Sequence, residues 1–207
     1  MTQSNAVFQC QDLASQRGEK ILFRQLGFSL QSGALLVVQG DNGRGKSTLL
    51  QILSGLLPPS HGSITYKDEP LRRSGLFLQE LLFIGHKVAV KPEFTVKEDL
   101  TYWAKLRGDD ALIDAALDYF DLTYYQDTRC GELSAGWQQR VALARLLAVP
   151  AKLWILDEPT NNLDAHATSL FNSLVMSRVE QGGIVIMASH GIVYNKEIKT
   201  LDINMFE

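Results

Sequence analysis

The chain has 207 residues, 45% of them hydrophobic, and a formal net charge of −3. That length accommodates one large α/β domain with a subdomain and an ample core, while the acidic balance and scattered lysines and arginines give no basic face for nucleic acid. No apolar run approaches the ~18 residues that span a bilayer, the start Met1-Thr2-Gln3-Ser4-Asn5 lacks the basic-then-apolar pattern of a secretory signal, and Cys10 and Cys130, without metal-ligand spacing, read as free thiols of a reducing compartment.

In chain order, Val7-Phe8-Gln9-Cys10 and Phe28-Ser29-Leu30 read as strands separated by a polar turn over residues 15–20. Leu35-Leu36-Val37-Val38 is a continuous apolar run, the pattern of a parallel strand covered on both faces. A glycine loop follows, then a helix predicted over residues 47–56 and ended by Pro58-Pro59. Ser63-Ile64-Thr65-Tyr66 and residues 81–84 supply two more strands. From Thr95 the period changes: Val96, Leu100, Trp103 and Leu106, then Leu112, Ala116, Leu117 and Phe120, recur at helical spacing. Strands return at residues 153–156 and 184–188, with an amphipathic helix over 165–179 between them.

Chemistry concentrates at two places. Gly40-Asp41-Asn42-Gly43-Arg44-Gly45-Lys46-Ser47 matches G-x-x-x-x-G-K-[ST] and sits between an apolar strand and a helix that begins with Ser47-Thr48. Glycines let such a loop turn successive N–H groups inward, and the helix adds its positive end. Lys46 is then placed for the β- and γ-phosphates of a nucleotide, and Ser47 for Mg²⁺. Asp157 and Glu158 follow four apolar residues, at the strand end where open α/β sheets bind ligands. Asp157 suits a carboxylate that holds Mg²⁺, commonly through water, and Glu158 a general base for the attacking water. The alternative is a solvated turn before Pro159. Two adjacent acids beside a triphosphate are unfavourable without a metal, which argues for Mg²⁺ together with ATP.

Leu133-Ser134-Ala135-Gly136-Trp137 opens a helix, with Ser134 as a candidate cap and the small Ala135 and Gly136 permitting close approach of a phosphate. Alone, this reads better as an ordinary capped helix. Between the phosphate loop and Asp157-Glu158 it resembles the L-S-G-G-Q signature of ABC ATPases, and the resemblance covers residues 7–190. It implies an α/β fold of P-loop NTPase type. A RecA-like core with an antiparallel β subdomain (residues 1–90 and 147–207) would carry an inserted helical subdomain at about 91–146. It also implies ATP and Mg²⁺ as cofactors and hydrolysis between two copies, each signature turn facing the γ-phosphate held by the other. His190 matches the family's switch histidine, which bonds the γ-phosphate, and Asp164 stands in its D-loop at the interface between copies.

Three positions depart from the general pattern. Phe83-Ile84-Gly85-His86 replaces the strand ending in glutamine, which implies for His86 a contact with Mg²⁺-bound water, less effective or more pH-dependent. Trp137 stands where glutamine is common. Arg17 aligns with the aromatic residue that stacks on adenine, either stacking through its planar guanidinium or remaining a solvated turn residue. The Ile-Gly-His run, the L-S-A-G signature, Arg140-Val141-Ala142-Leu143-Ala144-Arg145-Leu146 and Leu153-Trp154-Ile155-Leu156-Asp157-Glu158-Pro159 are similar to the haem-exporter ATP-binding proteins of bacterial cytochrome c maturation, the A component of that system. Thr160-Asn161 differs from that subfamily.

This finer resemblance implies a peripheral protein on the cytoplasmic face of the bacterial inner membrane. Its partners would be an integral membrane transporter protein, the B component of cytochrome c maturation, together with the C and D components. ATP would release a haem-loaded periplasmic chaperone, the E component. The segment 87–94, with Val88, Val90 and Phe94, reads either as a docking site for the membrane partner or as packing between lobes. Other readings are the ATPase of another ABC exporter and a nucleotide-sensing module with little turnover. An ATPase acting on nucleic acid or ribosomes would carry tandem domains or coiled-coil inserts, and neither is visible.

Overall fold

The computed structural model describes residues 7–71, 74–108, 110–189 and 198–206. Its strands are β1 Phe8–Arg17, β2 Lys20–Leu30, β3 Leu35–Gln39, β4 His61–Tyr66, β5 Glu69–Pro70, β6 Leu81–Ile84, β7 Leu153–Asp157, β8 Ile184–Ala188 and β9 Lys199–Asp202. The α-helices are α1 Lys46–Leu53, α2 Gly75–Glu80, α3 Val96–Lys105, α4 Ile113–Tyr119, α5 Ala135–Ala148 and α6 Ala165–Glu180. They build an antiparallel sheet in the order β2-β1-β4-β5 and a parallel sheet in the order β6-β7-β8-β3-β9.

Strands β6 and β8, and β3 and β7 up to their last residues, are apolar because both of their faces are covered, whereas the edge strand β9 is mostly exposed and polar. Leu35, Val37, Trp154, Leu156, Val185 and Met187 point into a core shared with α3, α4, α5 and α6. Their neighbours Leu36, Val38, Leu153, Ile155, Ile184 and Ile186 point into a second core shared with α1 and the antiparallel sheet. Each fully buried side chain of this size contributes roughly 1.5–3 kcal/mol, so the sheet is the rigid element from which the site residues project.

Local signals set the helix starts. Thr95 and Glu98 form a reciprocal capping box at α3, with bonds of 3.2 and 2.9 Å. Ser134 caps α5 and Asp164 caps α6. Two boundaries differ from the sequence reading. Helix α1 stops at Leu53 because Gly55 adopts φ 77°, and the Leu56 N–H closes back on the Gln51 carbonyl at 2.9 Å. The polar stretch 15–20 is mostly strand: Arg17 pairs with Lys20 across a two-residue turn at Gly18 (φ 62°) and Glu19. Ser15 is buried there, so polarity did not mark exposure.

Buried Asp99 and Arg145 join α3 to α5. Arg145 Nε and Nη2 stand 3.0 and 2.6 Å from Asp99 Oδ2. Arg145 Nη2 also donates to the Ala89 carbonyl at 2.9 Å, and Asp99 Oδ1 accepts the Lys91 N–H at 3.2 Å. The segment between β6 and α3 is thereby fixed at two backbone points, while Val88 and Val90 pack against the core. Cys10 and Cys130 are free, buried thiols, and burial pushes Cys130 up to about 11. Neither is activated as a nucleophile. Among the described residues no helix is long and apolar enough to cross a membrane.

Candidate nucleotide-binding site

Strand β3 delivers the chain into a loop with three left-handed glycines, Gly40 (φ 140°), Gly43 (φ 78°) and Gly45 (φ 99°). A side chain at Gly40 would lie 2.5 Å from Ile203 Cγ2, so the residues after β9 form the floor of the loop. Asn204 Oδ1 accepts the Asp41 N–H there at 3.4 Å. Neither β9 nor this floor was legible in the sequence. Helix α1 starts at Lys46 with no side-chain cap on its first amides, the arrangement that receives an anion. Lys46, 6% exposed, curls back so that Nζ donates to the Gly40 and Asp41 carbonyls at 2.7 and 3.1 Å.

A cavity of about 220 Å³ opens here, lined by Asn42, Gly43, Gly45, Lys46, Ser47, Thr48 and, from elsewhere in the chain, Arg17, Leu22 and Glu158. Arg44 turns on Asp41, its N–H 3.4 Å from that carbonyl. A neighbouring cavity of about 610 Å³ shares Arg17, Leu22, Ser47 and Thr48 and extends to Gln51 and Leu57. Arg17 reaches this place as the last residue of β1 rather than as a turn residue. A larger cavity of about 870 Å³ beside the end of α1 includes none of the phosphate-loop residues.

Asp157 ends β7 and is 4% exposed. Burial raises its carboxyl above the usual range, while a hydrogen bond from Ser47, the charge of His86 and the His86 backbone N–H oppose the rise. Its Oδ1 is buried and meets no hydrogen-bond donor. An unsatisfied carboxylate oxygen next to a P-loop serine fits a divalent cation. No group of three His, Cys, Asp or Glu side chains that could hold a metal occurs among the described residues. Mg²⁺ needs none, since it uses one or two protein oxygens plus substrate phosphates and water.

Glu158 follows in the left-handed region (φ 51°), its N–H on the Ala188 carbonyl at 3.0 Å. Its Oε2 accepts from Asn161 Nδ2 at 2.6 Å and lies 3.5 Å from His86 Nδ1. His86 therefore approaches Asp157 through its backbone and Glu158 through its ring. His190 lies outside the described residues.

The Leu133–Gly136 stretch is separate from the phosphate-loop cavity and contributes nothing to its lining. Ser134 Oγ accepts the Trp137 N–H at 3.5 Å. A Cβ at Gly136 would lie 2.7 Å from the Asn162 carbonyl, so that glycine is required by an internal contact as well as by any phosphate. Trp137 packs on Tyr125, ring centres 4.4 Å apart, and under the Arg140 guanidinium at 4.6 Å. Arg140 bridges Asp121 and Asp164 at 2.8 and 2.6 Å. The Ala167 N–H and then Arg140 hold the Asp164 carboxyl below its usual value. Gln139 Nε2 donates to the Pro159 carbonyl at 2.8 Å, tying α5 to the turn after β7. Sequence spacing gave no signal for the ties of Arg140 to Asp121 and Asp164 or of Gln139 to Pro159, which join residues 19 to 24 apart.

The profile described as ABC transporter matches residues 23–161. With the two sheets, the phosphate loop and the signature helix in place, the chain belongs to the ABC transporter family of ATP-binding subunits, and its activity is ATP hydrolysis. Among curated proteins it is 38% identical over 206 residues to the cytochrome c biogenesis ATP-binding export protein CcmA of Wolbachia pipientis wMel, covering 97% of this chain and 98% of that one. The protein of the same name from Rhizobium meliloti (strain 1021) is 40% identical over 202 residues, covering 94% and 96%. A solved ABC transporter ATP-binding protein from Pyrococcus furiosus superposes with a TM-score of 0.84 at 25% identity, covering 96% of this chain and 98% of that one.

Proposed function

We propose that this ATPase drives an export complex of cytochrome c biogenesis, with two copies closing on ATP beside an integral membrane partner. The observation that carries the chemistry is the buried, donor-free Asp157 Oδ1 beside Ser47, at the mouth of a glycine loop containing Lys46. In this reading the triphosphate occupies the cradle of Gly40, Asp41, Asn42, Gly43, Arg44, Gly45, Lys46, Ser47 and Thr48. Lys46 exchanges its two carbonyl partners for phosphate oxygens, and Arg17 lays its guanidinium against the adenine in the adjoining cavity. Ser47 and Asp157 hold Mg²⁺, which when bound supplies charge neutralisation at the transferring phosphate.

Glu158 accepts the proton of the attacking water, with His86 beside it and His190 on the γ-phosphate. Phosphoryl transfer needs positioning and charge stabilisation rather than covalent help. Leu133, Ser134, Ala135 and Gly136 face the phosphate of a second copy, with Asp164 at the same interface. The absence of these residues from the lining of the chain's own cavity supports that arrangement.

The relatives' name, cytochrome c biogenesis ATP-binding export protein, supports an export role. The sequence resemblance extends the reading to haem export or release of a loaded chaperone, on the cytoplasmic face of the bacterial inner membrane, through the integral membrane B component with the C and D components. Substituting Lys46 by Ala tests the chemistry. Each ~1.4 kcal/mol of lost transition-state stabilisation is tenfold in rate, so turnover should be almost abolished, and substantial retained turnover refutes the site. Light scattering of Glu158→Gln with Mg·ATP and the membrane partner tests the pair. A mass containing one copy, with full wild-type turnover, contradicts it. Failure of the B component to co-purify from detergent extract contradicts the biogenesis role.

A further inference from the structure

Asn161 and Glu158 close one tight turn. The Asn161 N–H donates to the Glu158 carbonyl at 3.2 Å, and its side-chain amide returns to Glu158 Oε2 at 2.6 Å. The backbone of Glu158 is fixed independently by its bond to Ala188 at the end of β8. What remains to be oriented is a side chain with three rotatable bonds, 22% exposed, in the cavity with Lys46 and Ser47. His86 Nδ1 at 3.5 Å is too distant for a good hydrogen bond. Of these two contacts, the short amide bond from Asn161, made to a charged acceptor, is the stronger.

The far side of the same turn is equally confined. Asn162 has φ 64°, and its carbonyl occupies the space that a Cβ on Gly136 would need, at 2.7 Å. The turn therefore lies between Glu158 and the first turn of α5.

We propose that Asn161 is a positioning residue for hydrolysis. Its amide holds the Glu158 carboxylate toward the phosphate loop, and because the turn rests on Gly136, the position of the signature helix sets that orientation. The inference depends on Glu158 acting as the base. A purely structural role for Asn161 would change stability and nucleotide binding together. A positioning role changes the chemical step alone.

The test measures ATP turnover of the full chain carrying Asn161→Leu, which keeps the shape without the donor, or Asn161→Asp, which adds a like charge. From the strength of hydrogen bonds to charged groups, kcat should fall roughly 10-fold for the first and roughly 100-fold for the second, with KM for ATP within about twofold. Glu158→Gln with and without Asn161→Asp should bind Mg·ATP alike. Turnover near wild type in both variants overturns the proposal. So does a KM that rises in step with the loss, or a larger loss for Leu than for Asp. High turnover by Glu158→Gln is a separate result, and it overturns the base assignment itself.

Discussion

Removing one partner of the Asp99–Arg145 pair should destabilise the chain more than any other single charge deletion. Asp99 is fully buried and Arg145 nearly so, with contacts of 2.6 and 3.0 Å, and the guanidinium stacks 4.7 Å from the centre of the Trp103 ring. Asp99→Ala leaves a desolvated cation in the core and releases the Lys91 N–H. Breaking such a pair costs about 3–5 kcal/mol. For a chain of this size each kcal/mol lowers the melting temperature by about 2–4 °C, so a fall of roughly 6–20 °C is expected. Urea unfolding followed by circular dichroism measures the loss. Hydrogen exchange should localise it to Lys91 and its neighbours, the segment between β6 and α3. Asp99→Leu combined with Arg145→Met should recover most of the stability, because the cost is that of an unpaired buried charge. A loss below ~1 kcal/mol for Asp99→Ala refutes the reasoning, as does a double variant no better than the single.

Gly136→Ala gains about 1 kcal/mol of helix propensity but puts a methyl 2.7 Å from the Asn162 carbonyl. Overpacking costs about 1–3 kcal/mol, so calorimetry should find a net loss, accompanied by reduced turnover as the turn shifts. Asp157→Asn should raise the melting temperature of metal-free, nucleotide-free protein while abolishing Mg·ATP hydrolysis. Burial holds the Asp157 carboxyl above its unfolded value of 3.8. The ionised form is therefore destabilising above the folded value and is relieved as pH falls through it, so the variant's advantage should shrink in acid. Arg140→Met should remove one partner from each of Asp164 and Asp121, bring the Asp164 carboxyl part of the way toward its ordinary value while the Ala167 N–H still holds it, and lower ATP-driven pairing, as read by carboxylate titration in NMR and by light scattering.

Much of this architecture is written in short-range signals. Uninterrupted apolar runs mark β3, β7 and β8, because a strand covered on both faces has no polar positions. Ser134 marks the start of α5, because caps act within four residues. Glycines 40, 43 and 45 announce a phosphate loop because few other residues adopt its backbone. Other features exist only once distant segments meet. Nothing in residues 199–206 signals that they floor the phosphate loop, since the contact of Ile203 with Gly40 depends on β9 pairing with β3. The polarity of residues 15–20 suggested a turn, yet pairing of β1 with β2 carried the strand through to Arg17 and brought that guanidinium to the cavity. The junction of Glu158, Asn161, Asn162 and Gly136 was equally hidden. A hydrogen bond or a close approach of two backbones is set by how the chain crosses itself, and spacing along the chain carries no record of it.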